Sequence, residues 1–127
     1  MNIILEKGLS ACAATVVGAE KTARAMGSGD LDVFATPAMV ALMEQAAARA
    51  VAGALPEGST TVGAEISVAH LRPSAPGAEI VASAVVTEVE GRKITFTVGA
   101  CDGSGTIGEG THVRYVVDRT KFLARMK

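Results

Sequence analysis

Three polar residues interrupt otherwise apolar stretches of this sequence: Thr36, Glu44 and His70. A carboxylate can attack a carbonyl or activate a water molecule, an imidazole can transfer a proton, and a hydroxyl can orient either group. Taken singly, each residue also has a common structural explanation, as a helix cap, an edge carboxylate and a hydrogen-bonded core histidine. Together they could form an acid–base site, provided that the fold places them side by side.

Thr36 and Glu44 belong to a predicted helix within the stretch 34–55. Thr36 suits the N-cap, Pro37 suits the first helical position, and Ala, Leu and Met dominate the rest of the helix. Apolar side chains cover almost every face, so the helix should be buried. Glu44 is the exception, because it projects away from the polar edge of the helix. A buried carboxylate costs free energy unless it is paired or hydrogen-bonded.

His70 lies near the end of a predicted strand over residues 60–71. Strict alternation predicts that one face of this strand carries a single row of residues: Val62, Ala64, Ile66, Val68 and His70. We therefore expect the His70 side chain to point inward.

Four further strands are predicted over residues 10–17, 79–90, 93–101 and 106–117, with a short helix capped by Asp118. Strands joined by such short turns pair in an antiparallel sheet. A single apolar helix must be covered by that sheet, which can curl around it. The sequence therefore predicts an α+β protein of the hotdog fold, with an antiparallel sheet wrapped around one long central helix. Its edge strands and outer face favour a homodimer.

The bulk composition excludes several classes of protein. The 127 residues suit one domain spanning 1–127, and the net charge of −1 with 3% aromatics favours neither a nucleic-acid nor a membrane partner. Two cysteines, Cys12 and Cys101, are too few for a disulfide scaffold and fit a reducing cytoplasm. Residues 1–7 show no signal-peptide pattern, and the chain shows no metal-ligand spacing or Gly-rich phosphate loop.

Two polar residues share one face of the last predicted strand, His112 and Arg114. A guanidinium suits a phosphate or another planar polar group, and it equally suits a salt bridge at the surface or a dimer interface. For His112 the interpretation we favour is an ordinary strand histidine.

Several motifs resemble the fluoroacetyl-CoA thioesterase family of hotdog enzymes. They are the run 34–44, Gly63 with His70, and the segments 89–92 and 110–114. The correspondence extends from about Val33 to Phe122. It preserves both the eight-residue step from threonine to glutamate and the 26-residue step from glutamate to histidine.

This resemblance implies a catalytic triad of Thr36, Glu44 and His70. It also implies that Gly63 lies beside the thioester and coenzyme A, and that Arg114 binds the substrate. The segment 18–33 departs from the family pattern, since it is shorter and contains no aromatic residue. That segment has the composition of a lid or of a plain connecting loop. The resemblance thus implies hydrolysis of an acyl-CoA rather than selectivity for the fluoroacetyl group.

The sequence thus predicts a cytoplasmic, homodimeric acyl-CoA thioesterase that acts on a short acyl group. Coenzyme A would be part of the substrate, and no further cofactor or metal is expected. Two alternatives stay open: a hotdog enoyl-CoA hydratase or dehydratase, and a non-catalytic acyl-CoA-binding protein. The first usually needs an Asp–His pair, and no such pair occurs at matching positions.

Overall fold

The computed structural model describes residues 4–126, which form one sheet and one long helix. The strands are β1 (Ser10–Val16), β2 (Ser59–His70), β3 (Glu79–Glu90), β4 (Lys93–Asp102) and β5 (Gly105–Asp118). The helices are α1 (Ala23–Met26), α2 (Thr36–Ala52) and α3 (Arg119–Ala124), with a 3₁₀ turn at Ala19–Lys21. These elements match the predicted ones within a few residues. No helix in the described part of the chain has both the length and the apolar character needed to cross a membrane.

The five strands are ordered β1-β3-β4-β5-β2, and every neighbouring pair is antiparallel. Helix α2 packs against β1, β2, β3 and β4, so the sheet curls around it. The predicted hotdog architecture is therefore confirmed. Strand β2 lies at one edge and, among residues 4–126, pairs only with β5. Its outer backbone groups therefore have no strand partner within these residues.

The core lies between the concave face of the sheet and α2. The helix contributes five fully buried apolar residues, Met39, Met43, Ala46, Ala47 and Val51. The sheet meets them with Ile80, Ile94, Phe96, Val98 and Ile107. Burying each larger side chain stabilises the fold by about 1.5–3 kcal/mol. This packing fixes the helix on the sheet, and with it the polar side chains at its N-terminus and midpoint.

The start of α2 differs from the prediction. The N-cap is Ala35, Thr36 is the first helical residue, and the cap makes no side-chain hydrogen bond. Pro37 takes the second helical position, where it removes no intrahelical donor. The prediction of Thr36 as the cap was wrong because its hydroxyl is engaged elsewhere, with the His70 imidazole.

A β-bulge in β2 corrects the predicted alternation. The pairing with β5 shifts between Gly63 and Glu65, so Ala64 is an extra residue. The face of β2 therefore changes partway along the strand. Before the bulge the helix-facing residues are Thr61 and Gly63, and after it they are Ile66, Val68 and His70. The prediction that Val62 and Ala64 share the face of His70 was wrong, because alternation assumes an unbroken register.

The segment between β1 and α2 is an ordered connection. Thr22 caps α1 by accepting a hydrogen bond from the Ala25 backbone, and it pairs with Phe34 in an isolated bridge. The Ala23 amide also donates to the Val33 carbonyl. These contacts join the two ends of the segment to each other, directly before the N-terminus of α2.

Candidate active site

The N-terminus of α2 and the end of β2 place two of the predicted catalytic residues together. Oγ1 of Thr36 lies 2.8 Å from Nδ1 of His70. The Phe34 ring stands edge-on to the imidazole, with ring centroids 6.3 Å apart. The bulge in β2 makes this arrangement possible, because it turns His70 toward the helix.

The other imidazole nitrogen of His70 is unusual. Nε2 is buried and makes no hydrogen bond, and it is the one such buried side-chain atom among residues 4–126. Burial lowers the pKa of His70. The backbone of Arg72 lies near the imidazole without forming a hydrogen bond to Nε2, and it offsets that lowering of the pKa only in part. A neutral imidazole is therefore favoured, with one nitrogen free for another molecule.

A groove of about 300 Å³ borders this pair. Thr36, Phe34 and His70 line it, together with Ala23 and Ser28. The segment before α2 thus contributes to the lining of the groove, and Phe34 is its aromatic side chain there. The groove gives the His70 imidazole contact with a space large enough for a small ligand.

Glu44 lies in a second polar cluster, at the midpoint of α2. Its Oε2 is 3.5 Å from Nη1 of Arg114, and 41% of its side chain is exposed. The same oxygen lies 2.6 Å from the position that a Cβ on residue 63 would take. The carboxylate therefore occupies space that is open because residue 63 is glycine. The structure thus brings Glu44, Gly63 and Arg114 together.

Arg114 is held by more than its carboxylate partner. Its Nε donates to Oγ1 of Thr61 at 2.8 Å, and its Nη2 donates to the Thr61 carbonyl at 3.0 Å. Its Nη1 also lies 3.3 Å from Nε2 of His112. His112 thus belongs to the Glu44 cluster, two residues from Arg114 on one face of β5.

The two clusters are separate within the protomer. Thr36 and Glu44 are eight residues apart on α2, a rise of about 12 Å along the helix axis. No hydrogen bond or ion pair joins Glu44 to Thr36 or His70 within the described residues. The three predicted catalytic residues therefore do not form a contiguous triad in one chain.

Other potential sites carry less chemistry. No group of His, Cys, Asp and Glu in the described part of the chain has the geometry of a metal site. Cys12 on β1 and Cys101 on β4 are free and exposed. The polar chemistry of the concave face is therefore concentrated in the two clusters along α2 and β2.

Comparison with known proteins points in one direction. The family model of the fluoroacetyl-CoA-specific thioesterase matches residues 17–120. The chain is 42% identical over 96 residues to a fluoroacetyl-CoA thioesterase of Streptantibioticus cattleyicolor, covering 76% of this chain and 69% of that enzyme.

Solved structures agree. A structure of the fluoroacetyl-CoA thioesterase FlK aligns with a TM-score of 0.89 at 36% identity, covering 96% of this chain and 95% of that one. A thioesterase superfamily member from Thermus thermophilus, TTHA0967, aligns with a TM-score of 0.88 at 29% identity, over 95% of this chain and 90% of that one. The chain belongs to the fluoroacetyl-CoA-specific thioesterase family.

Proposed function

We propose that this protein hydrolyses a short acyl-CoA thioester, with Thr36, Glu44 and His70 as its catalytic residues. Membership of the family makes it a thioester hydrolase. The residue assignment depends above all on one observation, the buried and unpartnered Nε2 of His70. Buried polar atoms are nearly always hydrogen-bonded, so an atom left free beside a groove supports a role for His70 in binding a ligand group.

The chemistry depends on the groups that the two clusters present. The Glu44 carboxylate adds to the thioester carbonyl, or it removes a proton from a water molecule that adds. Thr36 holds Nδ1 of His70, and Nε2 carries the proton. The Nε2–H group stabilises the oxyanion by a hydrogen bond, or it transfers its proton to the departing thiolate.

When Glu44 activates water, the carbon–sulfur bond breaks as a bond to the water oxygen forms, and one proton of the water goes to the thiolate of coenzyme A. When Glu44 adds directly, coenzyme A leaves with a proton from His70. Water then hydrolyses the acyl–Glu44 anhydride, which releases the acid and restores both the carboxylate and the proton of His70.

Gly63 and Arg114 would bind the substrate around the carboxylate. A glycine lets the thioester approach the backbone of β2 closely. The Arg114 guanidinium keeps Glu44 oriented and presents a cation to the polar part of the substrate. We propose no cofactor beyond the coenzyme A that the substrate carries.

A homodimer would unite the two clusters. The edge of β2 is unpaired in the protomer, and two copies related by a two-fold axis would pair their β2 edges antiparallel. That pairing sets the His70 end of each β2 beside the half of the other β2 that carries Gly63. Each site would then combine Thr36 and His70 of one protomer with Glu44 of the partner subunit.

Two features support a short acyl group. The groove beside His70 has a volume of about 300 Å³, and the buried Phe34 lies at its margin. A variant of FlK, which aligns with this chain at a TM-score of 0.90, has been solved in complex with acetyl-CoA.

The two free, exposed cysteines are consistent with a reducing cytoplasm, where we propose that the enzyme acts.

Thiol release from a panel of acyl-CoAs, followed with a thiol-reactive dye, tests the proposal. We expect Glu44→Ala and His70→Ala each to lower kcat about 100- to 1000-fold. The control is Gln45→Ala, which removes the exposed neighbour of Glu44 on the same helix and should leave kcat unchanged.

Three results would count against the proposal. Unchanged turnover in both alanine variants would remove these residues from the site. Acyl-CoA binding without thiol release would instead indicate a non-catalytic binding protein. Loss of enoyl-CoA absorbance without thiol release would indicate a hydratase.

A further inference from the structure

His112 is a buried polar residue to which the proposed reaction gives no part. It lies on β5 with 2% of its surface exposed. Its ring stacks on Phe96 of β4, with centroids 5.8 Å apart and planes inclined by 29°. An imidazole in such surroundings must satisfy both ring nitrogens, or it costs free energy.

The partners of His112 determine where its proton lies. Nδ1 is 2.7 Å from the backbone carbonyl of Glu65, which only accepts, so Nδ1 carries the proton. Nε2 is 3.3 Å from Nη1 of Arg114, which only donates, so Nε2 presents its lone pair. Both contacts are satisfied together by the neutral imidazole with its proton on Nδ1.

The contact with Arg114 completes the restraint of the guanidinium. Thr61 accepts from Nε and Nη2, while Nη1 is shared between Nε2 of His112 and Oε2 of Glu44. Without His112, Nη1 would have the half-exposed carboxylate as its one remaining partner in the cluster. The guanidinium would then be free to tilt away from Glu44.

We propose that neutral His112 is a positioning residue, which holds Nη1 of Arg114 against the Glu44 carboxylate. This inference rests on the proposed function, since it concerns the orientation of a proposed catalytic carboxylate. It gives His112 no contact with the substrate. It also gives the β2 bulge a second role, because the bulge presents the Glu65 carbonyl that fixes the imidazole tautomer.

The charges around His112 favour its neutral form. Arg114 on β5 and Glu44 on α2 are the charged groups that face the imidazole, while β2 offers a backbone carbonyl and β4 an uncharged ring. Burial lowers the pKa of His112, the Glu65 carbonyl and Glu44 oppose that shift, and Arg114 adds to it. A proton on Nε2 would replace the acceptor with a donor and place two cations side by side.

Two amide variants separate the contacts of His112. The amide nitrogen of His112→Asn can replace Nδ1 and keep the Glu65 contact. The longer side chain of His112→Gln can place its carbonyl oxygen near the Nε2 position and accept from Arg114. We expect His112→Gln to retain most of kcat, and His112→Asn to lose roughly 10- to 100-fold with a smaller change in KM.

The opposite order would overturn the inference, because it would give His112 a purely structural role at the bulge. Equal kcat values in the two variants, high or low, would overturn it as well. Melting temperatures of both variants show whether either one fails to fold.

The tautomer of His112 in the wild-type protein provides a test that does not depend on activity. In a ¹⁵N-histidine-labelled sample at neutral pH, we expect Nδ1 to be protonated and Nε2 to have the chemical shift of an unprotonated nitrogen. An Nε2-protonated ring or an imidazolium would overturn the inference. This measurement still decides the matter if the wild-type protein hydrolyses no acyl-CoA, a result that would sink the proposed function separately.

Discussion

Oε2 of Glu44 lies against the backbone of Gly63, 2.6 Å from where a Cβ on residue 63 would stand. Real Cβ atoms do not approach an oxygen so closely, so a side chain on residue 63 and this carboxylate position exclude each other. The Gly63 backbone has no positive φ. Glycine is therefore required at position 63 because it leaves space for the Glu44 carboxylate of α2 to contact the backbone of β2.

Gly63→Ala should displace Glu44 and lower kcat roughly 10- to 100-fold, because small misplacements of a catalytic group are costly. The matched control is Gly99→Ala in β4, where the nearest atom to an added Cβ is Oγ of Ser83 at 3.6 Å. Steady-state thiol-release kinetics of the two variants check the prediction. Equal kcat values would show that the position of the Glu44 carboxylate against Gly63 does not matter for turnover.

The hydroxyl of Thr36 should matter more than its methyl group. Thr36→Val keeps the shape of the side chain and removes the hydrogen bond to Nδ1 of His70. We expect kcat to fall roughly 10-fold or more in Thr36→Val and to stay near wild type in Thr36→Ser. Thr36 is exposed, so the melting temperature should change little in either variant. A fall in stability that matches the fall in activity would contradict this prediction.

The sequence was informative where one local rule decides the structure. Helix α2 follows from residue propensities and an almost wholly apolar surface. The hairpins β3–β4 and β4–β5 follow from Gly-containing turns between alternating strands. The hotdog topology follows in turn, because one apolar helix and consecutive antiparallel strands have few ways to bury each other.

The predictions failed where a long-range contact overrides a local preference. Thr36 has the ideal chemistry of an N-cap, but its hydroxyl bonds His70, which is 34 residues away. The bulge at Ala64 is a feature of the register with β5, and the alternation of apolar and polar residues in β2 does not predict it. The contact of His112 with the Glu65 carbonyl also lies beside this bulge. The separation of Glu44 from His70 likewise depends on how α2 crosses the sheet.

Arg114 should not be replaceable by lysine. Its Nε and Nη2 donate to Thr61, while Nη1 contacts both His112 and Glu44. A single ammonium group cannot reach all of these partners. We expect Arg114→Lys to cost about 1–3 kcal/mol in the free energy of unfolding, because buried polar groups lose their partners. The turnover number should fall as well. Chemical denaturation and thiol-release kinetics measure the two effects.

Arg24→Lys is the matched control for that substitution. Arg24 forms an ion pair with Asp32 in which both side chains are more than half exposed, at 64% and 60%. Such pairs contribute little to stability, so this variant should resemble wild type within about 0.5 kcal/mol. A similar loss of stability in Arg24→Lys and Arg114→Lys would show that the several contacts of the Arg114 guanidinium have no special role in stability.

Folding stability should decline under mildly acidic conditions. Burial lowers the pKa of both His70 and His112, so the folded protein binds these protons less readily than the unfolded chain. Their contribution is complete above the ordinary histidine pKa of about 6.5, and it is lost as the pH falls from there through the lowered values. We expect the melting temperature to fall between about pH 7 and pH 5, and to fall less steeply in a His70→Gln/His112→Gln variant. An equal slope in the two proteins would contradict the assignment.

A site shared between protomers predicts that two inactive variants complement each other. In a mixed dimer of Glu44→Ala and His70→Ala protomers, one site receives both substitutions, and the other receives neither. Random exchange makes half of the dimers mixed, so an equal mixture should recover about a quarter of wild-type turnover. Sites built within a single chain would leave every site damaged and the mixture inactive. Each variant incubated alone through the same exchange procedure is the control. Size-exclusion chromatography establishes that the mixture is dimeric, since the two variants can complement each other only within a dimer.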